Sequence, residues 1–111
     1  MIQGFLLAYL NTADYFIAYS ERELNKGFCD LYLEPFTARY PKMGHGYLIE
    51  LKYMKRGQFS KARCDSLIEE ADAQLAQYLA DTSLARVGGH VQWTGITLIF
   101  HGWEMVWSGA K

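Results

Sequence analysis

Residues Thr94 to Phe100 (Thr-Gly-Ile-Thr-Leu-Ile-Phe) form a strand-length segment that is apolar at both odd and even positions. Successive residues of a strand point to opposite faces. A strand of this kind therefore needs cover on both faces and belongs in the interior of a layered sheet. The stretch before it supplies a layer. From Ser60 to about Asp81, Leu67, Ile68, Ala71, Leu75, Tyr78 and Leu79 recur at helical spacing, and Ser60 is placed to cap the helix. A helix between two strands is a crossover, which permits parallel pairing of the strands it joins.

Upstream, three strands are expected in succession. Tyr15 to Glu21 is rich in aromatic and β-branched residues. Phe28 to Glu34 alternates, with Cys29, Leu31 and Leu33 on one face and Phe28, Asp30 and Tyr32 on the other. Tyr47 to Met54 places Tyr47, Ile49, Leu51 and Tyr53 opposite Leu48, Glu50, Lys52 and Met54. Glu23 to Gly27 reads as a turn and Pro35 to Gly46 as a loop. Met1 to Leu10 reads as a helix ending near Asn11-Thr12. Trp103 to Trp107 reads as a last short strand, with its two tryptophans on one face as core or dimer contacts. The expected class is α/β: a meander of three strands, a crossover helix and a mixed sheet flanked by helices.

The 111 residues make one domain, residues 1–111, and half of them are hydrophobic, which is ample for a single core. The chain begins within its first helix, which points to a piece of a longer protein. A net charge of −1 gives no global basic signal for nucleic acid, though a local patch remains open. Cys29 and Cys64 lack metal-type spacing and read as thiols in a reducing compartment. His45, His90 and His101 are scattered without a zinc pattern. No apolar run approaches the ~20 residues of a membrane span. Without a signal peptide either, a cytoplasmic location is expected.

The chemistry concentrates in Glu50-Leu51-Lys52. Residues two apart share a strand face, so Glu50 and Lys52 project together while Leu51 enters the opposite layer. Asp30 lies mid-strand on the preceding strand and can converge with Glu50 if the two strands are neighbours. Two close carboxylates repel, and a divalent cation relieves that repulsion. All-oxygen ligation points to magnesium or manganese, with the backbone carbonyl of Leu51 as a further ligand. Lys52 would then orient a water and stabilise charge on a phosphorane-like transition state. Taken alone, Glu-x-Lys on a strand face is more commonly a solvated ion pair.

The strings Ser20-Glu21, Gly27-Phe28-Cys29-Asp30-Leu31-Tyr32-Leu33 and Tyr47-Leu48-Ile49-Glu50-Leu51-Lys52-Tyr53, in this order and spacing, resemble the PD-(D/E)XK nuclease superfamily. More narrowly, they resemble the domain at the carboxy end of bacterial proteins that begin with an AAA-ATPase-like domain. The resemblance implies a restriction-endonuclease-like core of αβββαβ order and metal-dependent cleavage of phosphodiester bonds in DNA. It assigns Asp30 and Glu50 as metal ligands and Lys52 as the catalytic lysine. Glu21 matches an upstream acidic position. Gln74 and Tyr78 match a Gln-x-x-x-Tyr element, with Gln74 bonding beside Glu50 or Lys52. It also implies an ATPase-like partner domain and a homodimer that cuts two strands. Cys29 stands where the superfamily's name has proline. A non-catalytic regulatory or assembly module of the same fold is the alternative.

Lys55, Arg56, Lys61 and Arg63 follow Lys52 without an intervening acid and are candidate phosphate contacts. A solvated charge run is the commoner explanation of such a stretch, and Asp65, Glu69, Glu70 and Asp72 follow at once.

Overall fold

A computed structural model describes residues 16–25, 27–55, 57, 60–102 and 104–110. The expected helix over Met1–Leu10 lies outside these residues, as do Arg56 and Trp103. Five strands form one sheet in sequence order: β1 (Phe16–Leu24), β2 (Gly27–Pro35), β3 (His45–Met54), β4 (Gln92–His101) and β5 (Glu104–Ala110). The pairs β1–β2, β2–β3 and β4–β5 are antiparallel. The pair β3–β4 is parallel and is joined through α1 (Lys61–Leu79). The result is a mixed α/β fold with the expected meander and crossover. No helix among the described residues is long and apolar enough to cross a membrane.

Helix α1 starts where the sequence places it. The hydroxyl of Ser60 accepts a hydrogen bond from the Arg63 amide at 3.1 Å and satisfies an otherwise orphaned donor. The helix buries Leu67, Ala71, Leu75 and Tyr78. Leu75 and Tyr78 pack on one sheet face with Leu24, Tyr32, Leu48 and Leu84, and, further along, Leu67 packs with Met54 and Ile99. The other sheet face carries Leu31, Leu33, Ile49, Leu51 and Phe100. Trp107 joins the cluster of Met54, Leu67 and Ile99, in keeping with a core role. A short 3-10 helix, Thr82–Arg86, follows α1 where no element was expected, capped by the Asp81 carboxylate on the Ser83 amide.

One strand expectation is corrected. Simple alternation puts Cys29 with Leu31 and Leu33. In the structure Cys29 packs on the helix side with Leu24, Tyr32 and Tyr78, while Leu31 and Leu33 face away. Phe28 points outward and is 57% exposed. The reset falls at one place on both strands. Glu21 has a positive φ of 57°, and the β1–β2 register runs from Ser20–Leu31 to Arg22–Cys29 without a Glu21–Asp30 pair. A non-glycine residue in the left-handed region is uncommon and carries strain. This interruption turns Asp30 away from the alternation of its neighbours.

Candidate active site

The β2–β3 ladder pairs Leu33 with Tyr47, Tyr32 with Leu48 and Leu31 with Ile49, and then stops. One further step would set Asp30 opposite Glu50. At that step side chains replace the backbone ladder. The Leu51 amide donates to Asp30 Oδ2 at 2.8 Å, and the Asp30 amide donates to Glu50 Oε1 at a long 3.4 Å. Each carboxylate thus fills a place that a carbonyl would hold in a regular sheet, and both acids are drawn into one gap between two strands.

Burial separates the two acids in degree. Glu50 is only 2% exposed, and Asp30 is half-buried. Burial, followed by the charge of Asp30, pushes the Glu50 carboxyl up to about 7, against which Lys52 pulls it down. The Asp30 carboxyl is also raised, chiefly by burial, with the Leu51 amide opposing and the charge of Glu21 adding to the rise. Glu21 stands at the skipped register position on β1. Three acids therefore succeed one another across β1, β2 and β3, with Thr97 of β4 paired next to Glu50.

Lys52 shares the mouth of this gap. Its Nζ lies 3.9 Å from Glu50 Oε2 and 3.1 Å from Glu70 Oε1 on α1. Asp30, Glu50 and Lys52 are thus brought together, and Glu21 adjoins them. The accessory helix residues face the same region. Gln74 carries a buried Oε1 with no hydrogen-bond partner among the described residues, so its expected bond beside Glu50 or Lys52 is not formed through that atom. Glu70, one helical turn earlier, binds Lys52 instead. Tyr78 donates its hydroxyl to the Phe28 carbonyl at 3.1 Å and braces the β1–β2 end of the site. Burial, then the charge of Glu50, pushes its phenol up to about 12.

Glu70 is the residue that sequence reasoning missed. Spacing gives its face, since Glu70, Gln74 and Tyr78 recur every four residues, but not its partner on β3. The basic run is less telling. Lys55, Lys61 and Arg63 are exposed where β3 gives way to α1, and Arg56 lies outside the described residues.

A sequence profile of the PD-(D/E)XK nuclease superfamily matches residues 1–108. The chain belongs to the PD-(D/E)XK nuclease superfamily. No curated protein and no solved structure gives a significant match to it. Membership brings nuclease-type phosphodiester hydrolysis as the activity of the class, and superfamily members commonly use divalent metal ions. The residues here suit such an ion in kind. Two carboxylates share a gap in which burial raises both acids, with the charge of Asp30 adding to the rise at Glu50 and that of Glu21 to the rise at Asp30, and a bound cation would offset these effects. No cluster of three or more His, Cys, Asp or Glu side chains close enough to bind a metal occurs among the described residues. Asp30 and Glu50 both offer oxygen donors, the ligand type that hard divalent cations take.

Proposed function

We propose that this domain is a magnesium- or manganese-dependent nuclease that hydrolyses phosphodiester bonds in DNA, on the restriction-endonuclease-like core of αβββαβ order. The observation that carries the reading is the convergence of Asp30 and Glu50 in the β2–β3 gap, with Lys52 beside them. Asp30 and Glu50 would hold the ion, and Leu51 would offer its carbonyl. In a strand the N–H and C=O of one residue point to the same edge. The Leu51 amide already points at Asp30, so its carbonyl shares that side. The ion would polarise a phosphoryl oxygen and lower the pKa of water.

The side chains divide the remaining work. Glu50, whose carboxyl is pushed up to about 7 by burial and the charge of Asp30, would be held ionised by the ion and serve as its ligand. Lys52 is a compact cation at the mouth of the gap, suited to orient the attacking water and to meet charge that develops on phosphorus. Attack of that water forms a new P–O bond, the bond to the leaving oxygen breaks, and the leaving oxygen takes up a proton. Lys55, Lys61 and Arg63 are candidates for contact with flanking phosphates.

Cleavage of plasmid and oligonucleotide DNA in magnesium or manganese tests the proposal. Asp30→Ala and Glu50→Ala are each expected to abolish cleavage and metal binding in calorimetric titration. Activity that survives both substitutions would sink the site assignment. No metal binding at millimolar levels, even with DNA present, would favour a non-catalytic module of the same fold.

A further inference from the structure

We propose that Glu70 is a positioning residue, which fixes the Lys52 ammonium at the mouth of the carboxylate gap. The inference rests on the nuclease reading and deepens it. Lys52 Nζ is closer to Glu70 (3.1 Å) than to Glu50 (3.9 Å), so the ammonium is bonded outward to the helix more tightly than inward to its strand neighbour. The Lys52 side chain is 13% exposed and that of Glu70 is 53% exposed, which sets Glu70 at the rim.

A lysine needs such a partner here. Its four-carbon stem is flexible, and its ammonium is a point charge with no fixed fork geometry. Glu50 serves poorly as its only anchor, because the Glu50 carboxylate is drawn to the Asp30 amide inside the gap. A cation held by Asp30 and Glu50 would also repel the ammonium. Glu70 stands outside the acid pair on a rigid helix and can hold Lys52 against that repulsion. The pair links β3 to α1 across 18 residues of sequence, so the helix sets the lysine's place.

This role has signatures that differ from those of a plain surface charge. An acid that merely repelled phosphate would, when neutralised, lower KM and raise activity. Glu70→Gln is expected instead to lower kcat roughly 10- to 100-fold with KM nearly unchanged, the scale set by small misplacements of a reacting group. Metal affinity gives a second readout. In Glu70→Gln the freed ammonium turns toward Glu50 and competes with the ion, so calorimetric affinity for manganese is expected to fall several-fold. In a Lys52→Met background, where turnover is already lost, Glu70→Gln is expected to leave manganese affinity unchanged. Glu70 is exposed, so the variant should keep its fold, which circular dichroism checks.

If the wild-type chain cleaves and binds metal while Glu70→Gln leaves kcat unchanged, this inference alone fails. An equal effect of Glu70→Gln on manganese affinity with and without Lys52 overturns it too. A wild-type chain that neither binds manganese nor cleaves overturns the nuclease reading, and this inference falls with it.

Discussion

Glu50→Gln offers a direct measure of what the acid pair costs the fold. The Glu50 carboxyl stands at about 7 against an ordinary 4.5, with burial as the first cause and Asp30 as the second. An acid whose folded value lies above its unfolded value binds its proton more tightly in the native state. Its ionisation therefore weakens the fold as pH rises from about 4.5 to about 7, and the penalty is constant above that. Each tenfold shift in proton affinity corresponds to about 1.4 kcal/mol, so the full penalty is on the order of 3 kcal/mol. Glutamine keeps the shape and an oxygen to accept from the Asp30 amide, but it cannot ionise. The variant should match the wild-type chain near pH 4.5 and exceed it in stability by an amount on the order of 3 kcal/mol at pH 8. Urea unfolding at half-unit pH steps reads the difference. Magnesium should then close part of the gap, because an ion that binds only the native wild-type chain adds about 1.4 kcal/mol at ten times its Kd. A glutamine variant that is less stable at pH 8, or a difference that does not change with pH, would refute the reasoning.

Three further outcomes follow from the packing. Burial pushes the Cys29 thiol up to about 12, whereas Cys64 is half-buried in the first turn of α1; a maleimide or disulfide reagent should label Cys64 in the native chain and Cys29 only on unfolding, as peptide mass mapping would read. A Cβ at Gly27 would meet Tyr78 Cε1 at 2.7 Å, so Gly27→Ala should destabilise by about 1–3 kcal/mol in thermal or urea unfolding, through crowding at a buried ring. Tyr78→Phe removes the hydrogen bond to the Phe28 carbonyl and should cost about 1 kcal/mol of stability; if the phenol serves only as a brace, cleavage measured well below the melting temperature should change little.

The sequence carried the broad fold because its signals were periodic. Leu67, Ala71, Leu75 and Tyr78 state a helix face, Ser60 states its start, and the Tyr47–Met54 alternation puts Glu50 beside Lys52 without any structural knowledge. Apolar residues on both faces of Thr94–Phe100 correctly placed β4 between two neighbours. The errors arose where the period breaks. Nothing in Glu21 or Asp30 announces that both strands reset there, because a positive φ at a glutamate is imposed by its surroundings rather than by its own preference. That reset placed Cys29 on the helix side and Phe28 in solvent. Glu70 was hidden for a different reason. Its charge reads as one of several on an exposed helix surface, and only the tertiary approach of β3 shows that it faces Lys52. The 3-10 turn after α1 is too short for any period to register.

The arrangement of charge argues against a purely structural reading of Asp30, Glu50 and Lys52. A buried ion pair kept for stability would bring the cation against the most buried acid and hold other acids away, since an uncompensated buried charge is costly. Here the order is reversed. The most buried acid, Glu50, faces a second acid across the gap, and the lysine lies nearer to Glu70 at the rim. Leucine or valine at position 50 would suit the apolar pattern of β3 better than a carboxylate that burial raises to about 7. The backbone ladder is also given up at this step, so two amides that could pair with carbonyls bond to the acids instead. Burial of Glu50 and its approach to Asp30 lower stability on their own, and both costs would fall with a positive ligand between the two acids. Their coincidence at one step of the sheet is what supports the proposal that Asp30 and Glu50 hold a cation with Lys52 at the entrance.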